Sequence, residues 1–64
     1  MFMELRTIFA KYSSESLAEQ IVECLKQDGV VNVLYMEPEL IDELNDTGYV
    51  QTIKKGQSQV KLGV

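Results

Sequence analysis

The sequence predicts an α+β fold: one small domain in the order β-α-β-α-β-β, with a mixed sheet and helices packed on one of its faces. Three observations lead there. A strand-like segment, a helical segment ending in glycine and a second strand-like segment follow one another over residues 5–36. Pro38 opens a second, short helical pattern that closes at Gly48. The remaining residues alternate on either side of Gly56, as a hairpin does.

Residues 3–12 carry β-branched and aromatic side chains at Thr7-Ile8-Phe9. The apolar run Ile8-Phe9-Ala10 predicts a strand covered on both faces. Ser13 or Ser14 is placed to cap the next helix, its hydroxyl accepting from an unpaired backbone N–H. Ser16 with Glu19 also satisfies a capping box, which leaves the start open by two residues. Leu17, Ala18, Ile21, Val22 and Leu25 recur at helical spacing and form one apolar stripe. Gly29 stands where a left-handed residue ends such a helix.

Val30-Val31-Asn32-Val33-Leu34-Tyr35-Met36 is strand-like by its β-branched content. A strand, helix and strand of these lengths predict a parallel pair with a right-handed crossover. Pro38 suits the first turn of a helix, where no internal N–H bond is lost. Leu40, Ile41 and Leu44 form its stripe, and Asn45-Asp46-Thr47-Gly48 ends it. Residues 49–54 and 58–64 then read as antiparallel strands, with Gly56 supplying a positive φ at the turn. In the last strand Val60, Leu62 and Val64 alternate with Gln59, Lys61 and Gly63, the pattern of a half-buried strand. The expected core is Leu5, Ile8, Phe9, Leu17, Ile21, Val22, Leu25, Val31, Val33, Leu40, Ile41, Leu44, Val50, Ile53, Val60 and Leu62.

With 64 residues the chain is read as a single domain, 1–64. A chain of this size buries only about 60% of its unfolded surface, so small domains often add disulfides, metals or a second copy. Cys24 is the only cysteine and histidine is absent, so neither an internal disulfide nor an ordinary zinc site is expected. Good packing or self-association is left. Hydrophobic content of 45% and charged content of 25% belong to a globular domain rather than a disordered one. No apolar run approaches the roughly 20 residues that span a bilayer. Met1-Phe2-Met3-Glu4-Leu5 lacks the basic segment and long apolar core of a signal peptide, and a lone cysteine fits a reducing compartment. A cytoplasmic address without membrane contact is therefore expected.

The chemistry-bearing residues are few. Without histidine the commonest general base near neutral pH is missing, and Ser-His-Asp or Cys-His constellations are excluded within one chain. The four glycines are scattered, so no phosphate-cradling loop is present. The expectation is a protein that is not an enzyme and carries no catalytic, cofactor-binding or metal-ligating residues. Cys24 lies at the margin of the apolar stripe and reads as a small residue at the core's edge. Tyr12, Tyr35 and Tyr49 fall at element ends, where rings bury and hydroxyls stay wet.

Charge singles out a possible partner surface. Glu39, Asp42, Glu43 and Asp46 share one face of the second helix, and no basic residue lies between positions 37 and 46. Lys54, Lys55 and Lys61 lie beyond position 48, where no acidic residue occurs. An acidic helix on one copy facing a lysine hairpin on another gives a homodimer, as do sheet edges that one short chain can hardly cover. The leading expectation is a small regulatory or protein-interaction protein, acting as a homodimer.

Two alternatives belong to other classes. From Pro38 to Val64, a helix, Gly48-Tyr49-Val50 and a Lys-Lys-Gly hairpin resemble the end of a winged-helix domain. That resemblance implies a nucleic-acid-associated module using the C-terminal hairpin. The strand-like residues 30–36 depart from that family's helical pattern, and five carboxylates at or near its recognition helix would repel phosphate. The net charge of −4 also ranks nucleic acid low as a partner. The second alternative is a phage-type acidic inhibitor of a host protein, which the ten acidic against six basic residues support mildly.

Overall fold

The computed structural model describes residues 1–34, 36–55 and 57–63, and for Lys54, Lys55 and Gln57 it describes the backbone alone. The elements are α1 (Phe2–Tyr12), α2 (Glu15–Asp28), β1 (Val30–Val33), α3 (Pro38–Thr47), β2 (Val50–Lys55) and β3 (Gln57–Leu62). The α+β class holds, and from α2 onward the elements follow the expected order. The expected positive φ at Gly56, and the readings that rest on Tyr35 and Val64, lie outside the described residues.

The first element is a correction: residues 3–12 form a helix, not a strand. Phe2, Leu5, Phe9 and Tyr12 recur every three or four positions, and in the folded chain these are the buried or half-buried residues of α1 together with Ile8 and Ala10. Met3, Glu4, Leu5, Arg6, Ala10 and Lys11 all favour helix, and they outweigh the β-branched pair Thr7 and Ile8. The Thr7 hydroxyl is accommodated by donating to the Met3 carbonyl at 3.0 Å. With no first strand, the expected parallel pair has no counterpart. The sheet is antiparallel throughout rather than mixed, in the order β1-β3-β2.

The local signals that define α2 act as expected. Ser14 is the cap, its hydroxyl accepting from the Leu17 N–H at 3.1 Å. Gly29 closes the helix at φ 75°, with its N–H donating to the Leu25 carbonyl at 3.0 Å. Pro38 occupies the first turn of α3, and Gly48 closes that helix at φ 75°. Both glycines sit in the left-handed region where a Cβ is strained.

Residues directly opposite in an antiparallel ladder share a face. Val31, Val60 and Thr52 lie on one side of the sheet, while Asn32, Gln59 and Ile53 lie on the other. The first side is the covered one, because Val60 is fully buried there, and α2 packs near β1 and α3 near β2. The second side is polar: Gln51, Asn32 and Lys61 are exposed, and the Gln59 amide donates to the Asn32 side-chain oxygen at 2.9 Å. The core consists of Leu5, Phe9, Ala18, Ile21, Val22, Leu25, Met36, Leu40, Leu44, Val50 and Val60. Ile8, Val31, Val33, Ile41 and Leu62 pack against it half-buried. Leu17 is a correction, exposed although it falls on the predicted stripe, and Ile53 is turned to the open face of the sheet by its register with Gln59.

Candidate functional site

An apolar cleft of about 260 Å³ opens where the end of α1, the start of α2 and the end of β1 meet. Phe9, Leu17, Ile21, Val33 and Leu40 line it, and Tyr12 and Glu37 stand among its polar members. Leu34 lies on its lip and is fully exposed, at 106% of its reference area. An isolated exposed leucine needs no explanation, but one beside an open apolar cleft extends a contiguous patch.

Beside the cleft runs a free sheet edge. The Leu62 N–H donates to the Gly29 carbonyl at 2.8 Å, which sets the phase of the ladder. Bonded and unbonded pairs alternate in an antiparallel ladder, so Val31 and Val33 direct their backbone groups at Val60 and Ser58 of β3. Val30 and Asn32 direct their N–H and C=O groups the other way. Since β1 ends the sheet, those groups meet no further strand among the described residues.

A second cluster ties α1 to α3. Glu43 accepts from the Lys11 ammonium at 2.8 Å and from the Tyr12 hydroxyl at 2.7 Å. The Lys11 hydrogen bond, then that of Tyr12, hold the Glu43 carboxyl below its ordinary range. The bond to Glu43 raises the Tyr12 phenol from 10.0 to about 12, with burial and the charges of Glu43, Glu39 and Glu37 adding to it. Both shifts lead away from neutrality. The Glu43 contribution to folding is present above the ordinary carboxylate pKa and is lost as pH falls through its lowered value. That of Tyr12 is present below 10.0 and is lost as pH rises through about 12. Glu43→Gln is expected to return the Tyr12 titration toward 10.0 and to remove both dependences. A tyrosinate absorbance titration and pH-resolved melting check this; an unmoved Tyr12 titration contradicts it.

The residues expected to form a partner surface are thereby divided. Glu43 is half-buried and paired within the chain, whereas Glu39, Asp42 and Asp46 are exposed on α3. Lys61 is exposed on the open face of the sheet, opposite Val30 on one side and Gln51 on the other. Lys54 and Lys55 lie in β2, and their side chains are outside the description. Cys24 is exposed rather than at the core's edge. Among the described residues no group of three His, Cys, Asp or Glu is spaced to hold a metal ion, and no helix is long and apolar enough to cross a membrane.

The cleft, Lys11 and Leu34 were not expected from the sequence as site features. Only Leu34 carried a local signal, as an apolar residue inside an uncharged segment. No protein-family model, curated protein or solved structure matches the chain.

Proposed function

We propose that this chain is a small regulatory protein of the cytoplasm that acts by protein interaction, as a homodimer, and performs no catalysis of its own. The observation that carries the reading is the apolar cleft set beside an unpaired strand edge, with Leu34 exposed at its lip. Such a combination offers burial and backbone hydrogen bonds to another protein segment. The cluster of Lys11, Tyr12 and Glu43 supports the non-catalytic part. A depressed Glu43 is a poor base and a raised Tyr12 a poor acid near neutral pH. The lone cysteine supports the cytoplasmic address. Glu39, Asp42 and Asp46 on α3 supply an acidic surface for a further protein partner, and Lys61 a separate basic position on the open face of the sheet.

Light scattering at micromolar concentration is expected to give twice the chain mass. A single-chain mass throughout would overturn the homodimer. Tight binding to DNA at low salt in a mobility-shift assay would replace this reading by the nucleic-acid module.

A further inference from the structure

We propose that β1 pairs antiparallel with the β1 of a second copy about a two-fold axis through Asn32, joining the two three-stranded sheets into one of six strands. The inference rests on the homodimer reading and gives that dimer its geometry. Four observations carry it.

First, Val30 and Asn32 present outward backbone donors and acceptors with no strand beside them among the described residues. A second strand in this phase makes Asn32 its own hydrogen-bonded opposite. Second, the segment is symmetric in chemical class about that residue: Val30-Val31-Asn32-Val33-Leu34. A two-fold axis sets residue i against j and j against i, so Val30 meets Leu34 and Val31 meets Val33, each apolar pair occurring twice. An unrelated apolar peptide gains nothing from that symmetry. Third, Leu34, fully exposed in the single chain, gains a packing partner in Val30 of the second copy, while Val31 and Val33 of that copy extend the covered face toward Leu17 and the cleft. Fourth, two chains of net charge −4 repel one another, and Gly29 to Met36 is the longest stretch of the sequence without a charged residue. The other sheet edge, β2, bears Lys54 and Lys55, the kind of residue that keeps strand edges apart.

The opposed Asn32 Cα atoms would stand about 5.5 Å apart, inside the roughly 4.4–6.8 Å that a disulfide bridges. In a Cys24→Ser background, Asn32→Cys is expected to form a covalent dimer under mild oxidation. Gln51→Cys, exposed on the same face but in the far strand, is expected not to. Leu34→Glu is expected to halve the mass in light scattering with an unchanged circular-dichroism spectrum, since that side chain makes no burial in the single chain. A parent dimer whose Asn32→Cys variant stays unlinked, or whose Leu34→Glu variant keeps the dimer mass, overturns the β1 pairing and leaves the homodimer standing. A parent that is a single chain overturns both.

Discussion

Phe9→Ala is expected to cost about 3–5 kcal/mol and to leave much of the protein unfolded at ambient temperature. Phe9 is only 2% exposed and is the largest of the fully enclosed side chains among the described residues. A chain of 64 residues, at roughly 0.05–0.15 kcal/mol per residue, holds about 3–10 kcal/mol in total, so one such cavity consumes a large fraction of it. The same experiment separates helix from strand for residues 2–12. In a helix, Phe9 shares a face with Leu5 while Ile8 sits at the margin, half-buried. Ile8→Ala is therefore expected to cost clearly less than Phe9→Ala in urea titrations followed by circular dichroism. Equal costs would signal a strand covered on both faces.

Leu25→Ala is expected to remove about 2–5 kcal/mol, whereas Leu17→Ala should stay within about 0.5 kcal/mol. The two leucines belong to the same helical stripe by spacing. Leu25 is wholly enclosed near the end of α2, and its carbonyl accepts the closing hydrogen bond from Gly29. Leu17, at the start of the helix, borders the open cleft and is 46% exposed. Thermal melts of both variants in the Leu34→Glu background, where the proposed contact with a second copy is absent, give the comparison. A large loss for Leu17→Ala would mean that the cleft is closed in the single chain.

These two leucines show where the sequence is legible and where it is not. Ser14, Gly29, Pro38 and Gly48 punctuate the chain through local chemistry, a hydroxyl cap, two left-handed closures and one fixed φ, and each acts in the structure as its residue type implies. The register of β2 and β3 is less local: Ile53 looks like a core residue until its pairing with Gln59, itself opposite Asn32, sends it to the uncovered face. Residues 3–12 read as a strand because the run Ile8-Phe9-Ala10 fits one covered on both faces; a buried helix carries the same run, and here the spacing of Leu5, Phe9 and Tyr12, packed beside α2, prevails. The contact that binds Glu43 to Lys11 and Tyr12 joins residues more than thirty positions apart. Spacing along one helix reports that Glu43 shares a face with other acids, but not that a neighbouring helix will claim it. The cleft is a still more distributed object, assembled from α1, α2, β1 and α3, and no single segment announces it.

The strand order β1-β3-β2 has a consequence for the timing of synthesis. β3 is the last of the three strands to be made, yet it lies between the other two. Until the ribosome has added residues 57–62, at about 5–20 residues per second, neither β1 nor β2 has a neighbour with which to pair. The α1 and α2 hairpin needs only local contacts and is free to form early. During that interval the backbone of β1 is bare on both edges rather than one. β1 and β2 are therefore held together only through the last strand, and the docking of Val60 between Val31 and Thr52 closes the inner edges of both at once.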